Sequence, residues 1–272
     1  MKTDLKTNIK TILARAYVRV IAGNREPSWV ISETVLPLIS TAAYVYVYKA
    51  LNAPKEFTGF VILGGAMTAY WMNVLWHMAA QFYWEKEIGN LELYLIAPIS
   101  RMSILLGMAS GGFVYATARA VSVFIAASLI FKVDFFLISF PKLILLFILT
   151  LIALYGLGML FSSLFMLYGR EAWHGVNLFQ EPIYFLSGFY FPVRNLGFIT
   201  ALAASFIPLT LGLDGMRQMA FKAGPESGFL NVNLEIGILV FLCVFFLIAA
   251  HFALKFMENL GKKQGRLTLR WQ

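Results

Sequence analysis

The chain has 272 residues, of which 60% are hydrophobic and only 13% charged, with a formal net charge of +8. Soluble domains carry about 25% charged residues, so this deficit excludes an ordinary soluble fold and points to long segments that cannot hold charge. The positive balance does not indicate nucleic acid. Its cations flank apolar runs (Lys2, Lys6, Lys10, Arg15, Arg19 and Arg25 early, Lys255, Lys262, Lys263, Arg266 and Arg270 late), as in chains retained on the cytoplasmic face.

Residues 5–22 predict an amphipathic helix. Leu5, Ile9, Ile12, Leu13, Ala16 and Val20 share one arc, with Lys6 and Lys10 on one shoulder and Arg15 and Arg19 on the other. That distribution suits a helix in the inner membrane interface whose long cations reach the headgroups; packing against a cytoplasmic partner is the alternative. Asn24 to Pro27 breaks it. Residues 1–28 thus form a cytoplasmic interfacial unit rather than a leader, and the first apolar run is expected to serve as an uncleaved anchor.

Six spans are predicted to follow. Thr34–Tyr48 is the first, with Trp29, Tyr44 and Tyr48 as interfacial aromatics. Phe57–Trp84, free of Asp, Glu, Lys and Arg, is the second. As helix it would reach about 42 Å against a hydrocarbon core of about 30 Å, so it must tilt, kink or project. Met102–Phe131, Leu143–Gly169, Ala172–Pro192 and Ile236–Leu254 are the third to sixth. Between the last two, Pro192, Gly197, Pro208 and Gly212 punctuate an apolar stretch. A pair of re-entrant half-helices within 192–234 fits better than a seventh span, since broken segments are tolerated where protein buries them. The expectation is therefore an all-α membrane protein with a transmembrane domain over 29–257 and a basic tail over 258–272. Both ends lie inside, a topology in which cations assigned inside outnumber those outside roughly two to one.

Two charges fall within predicted spans, Arg119 and Glu181. Each is costly in hydrocarbon and should meet protein or water. Their depths are unequal, about 24 Å and about 12–15 Å from the inner ends of their helices, so a mutual pair is not assured. The single cysteine, Cys243, permits no intrachain disulfide and reads as a packing thiol. Gly107, Gly111, Gly112, Gly156 and Gly158 suit close helix packing.

The cytoplasmic loop at 84–102 is unusual. Glu85, Glu87 and Glu92 alternate with Leu91, Leu93, Leu95 and Ile96, and Pro98 ends the helical potential. Physics leaves two readings open: a docking helix for a soluble partner, or a segment lying on the membrane. The run Glu85–Gly107 resembles the characteristic loop of type-2 ATP-binding-cassette (ABC) exporter permeases. Phe185–Gly197 followed by Ile207–Gln218 is similar to that family's fifth-span exit and re-entrant helices, with Pro192, Pro208 and Arg217 at the matching places.

The resemblance, nearer the drug-exporter branch, implies an ATP-driven exporter subunit of the plasma (cell inner) membrane. Its load would be an amphipathic small molecule, drug or lipid-like compound. It implies two copies of a separate ABC ATPase subunit, which hold ATP and Mg, and a second permease copy, identical or related. In keeping with this, no phosphate-binding G-x-x-x-x-G-K-[ST] loop occurs, so this chain is expected to bind no cofactor or metal and to catalyse nothing. Glu85, Glu87, Gly89, Leu91, Glu92 and Pro98 would form the helix coupled to the ATPase. The substrate path would draw on Tyr70, Trp71, Asn73, Trp76, His77, Arg119, Glu181, Tyr184, Ser187 and Tyr190, with ordinary packing the alternative for each. A lipid-linked polysaccharide exporter and an ion-driven secondary transporter remain the competing functions.

Overall fold

The structure, a computed structural model, describes residues 4–23, 25, 27–168 and 170–265. Lys2, Asn24, Gly169, Arg266 and Arg270, and the side chains of Trp29 and Arg170, lie outside the described part. No strand forms among the described residues. The reason is compositional: segments this apolar must satisfy their own backbone groups, and an α-helix does so internally.

Helix α1 (Leu5–Gly23) is followed by α2 (Pro27–Ala50). Pro27 opens α2, where its missing N–H costs nothing, so the helix begins seven residues before the predicted span and takes in Glu33. Next comes one long rod: α3 (Glu56–Met72), a π-helical segment (Asn73–Ala79) and α4 (Gln81–Ile88). The run continues as one helical segment through this wide π turn. Gly89 then adopts a left-handed conformation, φ 88°, and turns the chain into the short α5 (Asn90–Ile96).

Helices α6 (Arg101–Phe131) and α7 (Phe140–Tyr168) follow, then α8 (Arg170–Leu186). The fifth span was expected to run to Pro192. The helix instead ends at Leu186, because Gly188 takes a positive φ of 64°. A 3-10 turn (Val193–Leu196) leads to α9 (Phe198–Ala204) and α10 (Pro208–Ala220), bent by 111° to one another. A short α11 (Gly224–Ser227) precedes α12 (Val232–Gln264), at about 50 Å the longest unbroken helix described.

Among the described residues, four helical segments are long and apolar enough to cross a membrane: Glu56–Ile88, Arg101–Phe131, Phe140–Tyr168 and Val232–Gln264. The bent pair α9–α10 would make a fifth if counted as one span. α2 and α8 fall short on this measure. α2 carries Glu33 and several Ser, Thr and Tyr residues, and α8 is only 17 residues long. Outward-facing Phe241, Val244, Ile248 and Phe252 on α12, with Val114, Val121 and Leu129 on α6, present the apolar surface a bilayer accepts and water does not.

The core forms where α3, its π-helical continuation, α6, α7, α10 and α12 meet. α10 is buried along its whole length. Arg217 lies on it, donating to the carbonyls of Phe60 (3.0 Å), Phe189 (2.8 Å) and Phe191 (3.0 Å). Those last two carbonyls belong to the unwound exit of α8, so one guanidinium satisfies backbone groups that the broken helix leaves open.

Helix α1 does not stand apart from the bundle. Asn8 accepts from the Ser100 N–H at 3.0 Å, and Ile12, Arg15, Ala16 and Arg19 press on Gly107 and Gly111 of α6. A Cβ at Gly107 would meet the Ile12 carbonyl at 2.7 Å, and one at Gly111 the Ala16 carbonyl at 2.6 Å. Backbone cannot step aside as a side-chain tip can. Gly107→Val or Gly111→Val is therefore expected to lower the unfolding temperature in detergent. Gly237→Ala, whose added Cβ meets nothing, should be neutral or stabilising by about 0.5–1 kcal/mol. Equal melting of the three variants would refute this seam.

Candidate functional site

A cavity of about 820 Å³ opens between α2, the α3–α4 rod and α8. Leu36, Pro37, Ala69 and Met72 supply apolar wall. Tyr44, Trp76, Trp84, Tyr184 and Tyr190 supply aromatic surface. Tyr44 and Tyr190 stack with ring centroids 4.0 Å apart and planes within 12°, closing α2 against the exit of α8. The Tyr48 hydroxyl reinforces that closure by donating to the Tyr190 carbonyl at 3.0 Å. Trp76 donates its indole N–H to Gln180 Oε1 at 3.1 Å, which fixes the ring plane and ties the π-helical segment to α8.

The polar rim is built on Glu33. Its carboxylate pairs with the Arg119 guanidinium and also contacts His77 Nε2 at 3.1 Å. Arg119, only 4% exposed, lies over the Tyr115 ring with 3.4 Å to the centroid. The partner of Arg119 is thus neither solvent nor Glu181, but an acid just before the predicted start of the first span. Arg19, from α1, faces the same carboxylate. Burial lowers its pKa below the ordinary guanidinium value, and the Glu33 charge offsets part of that.

One turn of α1 therefore joins two regions. Arg19 addresses the cavity rim, while Arg15, one turn earlier, pairs with Glu85 and donates to the Tyr94 hydroxyl at 2.7 Å. Glu85 also accepts from Gln81 (2.6 Å) and Asn90 (3.1 Å). These bonds lock the elbow at Gly89 to α1. The basic shoulder expected to reach for headgroups turns inward at Arg15 and Arg19, because buried carboxylates draw them there. Leu5, Ile9, Leu13 and Tyr17 stay on the outer face.

Of the residues expected to couple to an ATPase, Glu85 and Leu91 are buried. Glu87, Glu92 and Pro98 are exposed, and beside them stand Ile88, Leu93 and Ile96, 69%, 59% and 77% exposed. Gly89 supplies the turn. Of the substrate-path candidates, Trp76, His77, Glu181, Tyr184 and Tyr190 line the cavity. Tyr70, Trp71 and Asn73 pack into the core: Tyr70 donates to Thr117 Oγ1 at 3.0 Å, and Asn73 accepts from the Tyr155 hydroxyl at 3.2 Å. Ser187 is buried, and Arg119 stands behind Glu33 rather than on the wall. Pro192 precedes the 3-10 turn, Pro208 opens α10, and Arg217 binds carbonyls. Sequence reasoning missed Glu33; the unbroken helical run from Pro27 was the signal that placed it inside a helix.

A family model described as ABC-2 type transporter matches residues 7–221, spanning α1 through the end of α10. The chain belongs to the ABC-2 type transporter family. It is a permease subunit, the membrane component of a transporter, and a multi-pass membrane protein, and membership implies an ABC ATPase as partner. No curated protein matches the sequence. Within the permease, the matched region holds the cavity, the elbow and Arg217 alike.

Removing one member of a buried ion pair leaves the other uncompensated, at about 3–5 kcal/mol. Glu33→Ala is expected to cost that much in denaturant unfolding, Arg119→Met similarly, and the double variant much less than their sum. Strict additivity would mean the two charges do not depend on one another.

Proposed function

We propose that this permease is the transmembrane subunit of an ATP-driven exporter in the plasma membrane, moving an amphipathic small molecule, drug or lipid-like compound. Two copies, identical or related, act with two ATPase subunits. Six spans, with α2 the first and α8 the fifth, place both ends inside, and α9–α10 form the re-entrant pair near the outer face. The observation that carries this reading is the elbow: α5 turns Glu92, Leu93 and Ile96 outward while Arg15 and Glu85 bind its root to α1.

In this reading the exposed acid-and-apolar face of α5, with Glu87 and Ile88 beside it, seats in a groove of the ATPase, the helix-in-groove mode. Closure of the ATPase pair pushes the elbow. Arg15 passes that movement to α1, and Arg19 delivers it to the Glu33–Arg119–His77 cluster at the cavity rim. The cavity then changes its access between α2 and α8, with the Tyr44–Tyr190 stack as the outer closure. Its aromatic lining suits a compact amphiphile better than a hydrated polysaccharide chain, whose hydroxyls would find few partners there.

The test is co-purification with a candidate ABC ATPase subunit co-expressed with this chain. Wild type is expected to co-elute and to hydrolyse ATP. Leu93→Arg with Ile96→Arg should abolish the complex while the permease alone melts as wild type. Leu91→Arg should instead unfold the permease, because Leu91 is buried. An intact, fully active complex carrying both outward arginines would overturn the coupling assignment.

A further inference from the structure

The charge on the cavity wall does not sum to zero. Two carboxylates, Glu33 and Glu181, line it with His77, and no Lys or Arg appears among its described lining residues. Glu33 is already answered by Arg119 and His77. Glu181 is not: among the described residues it joins no ion pair, and its neighbour Gln180 reaches it only at 3.4 Å. A lone carboxylate on a membrane helix is expensive and marks a site facing water or a cation.

The surfaces around Glu181 are those that hold organic cations. It shares one cavity wall with Tyr184 and Tyr190, whose rings stand there with Tyr44 and Trp76. Aromatic faces attract ammonium, phosphonium and guanidinium groups, by about 2 kcal/mol or more once desolvated. Leu36, Ala69 and Met72 offer apolar contact for the body of such a molecule, and the volume lies in the range of small-molecule sites.

We propose that this cavity binds hydrophobic organic cations, with Glu181 as counter-ion and Trp76, Tyr184 and Tyr190 as the aromatic wall. The proposal rests on the transporter reading of the cavity and narrows its load to one charge type. The Glu33–Arg119 pair lies at the rim and supplies no free charge. Cations are therefore held at Glu181, and anions of the same shape are excluded by it.

The experiment uses the full chain in nanodiscs of neutral phosphatidylcholine with radiolabelled tetraphenylphosphonium and, in separate samples, radiolabelled tetraphenylborate, a probe of equal shape and opposite charge. Saturable binding of the cation above empty nanodiscs is expected. Glu181→Gln should weaken it at least about tenfold, since the attraction between opposite charges is lost, and Glu181→Asp should retain most of it. Tetraphenylborate should show no saturable binding above empty nanodiscs. Cation binding no greater than in empty discs, unchanged affinity in a well-folded Glu181→Gln, or equal saturable binding of the anion would each overturn the proposal. If Glu181→Gln fails to fold, Tyr184→Ala and Trp76→Ala serve in its place, and wild-type affinity in both would overturn it. No ATPase enters the assay, so its failure leaves the exporter reading standing, and loss of the ATPase complex leaves this result standing.

Discussion

An ionised group held among membrane helices must be answered by the protein itself, because hydrocarbon offers neither water nor counter-ion. In this permease that demand falls first on Glu33. Its carboxylate draws Arg119 from α6, His77 from the π-helical segment and Arg19 from α1. Four elements are thereby fixed in depth and rotation around one residue. The cavity between α2 and α8 exists where it does because one rim is held by this cluster, and its other end by the Tyr44–Tyr190 stack.

The same demand operates on uncharged backbone. A helix that stops within the bundle exposes carbonyls, and α8 stops at Leu186. Arg217 meets the exposed carbonyls of Phe189 and Phe191 and reaches Phe60 as well, pinning α3, the exit of α8 and the buried α10 together. A broken segment and a buried arginine are thus one feature, each tolerable only with the other.

Between these two anchors, α1 is the mechanical link. Its backbone lies directly on Gly107 and Gly111 of α6, where a missing Cβ permits the close approach. Arg15 holds the elbow and Arg19 faces the cavity rim, so the outward face of α5 and the cavity are joined by a single helical turn of α1.

Much of this was legible in the residues. Low charge and long apolar runs dictated a multi-pass membrane protein, and Pro98 marked the end of the short helix after the second long run. Gly107 and Gly111 announced a close helix contact, and Pro208 the start of a broken segment. These are local properties: hydropathy over twenty residues, a proline that cannot continue a helix, a missing Cβ. Only the tertiary structure decided that Arg119 meets Glu33, that Glu85 and Leu91 turn inward, that Arg15 and Arg19 leave the headgroups, and that Tyr70, Trp71 and Asn73 belong to the core. Such choices depend on how each helix is rotated about its axis and how deep it sits. A helix that is apolar all round carries almost no record of either, and the facing partners that set both belong to other helices, 70 residues apart for Arg15 and Glu85 and 44 for His77 and Glu33.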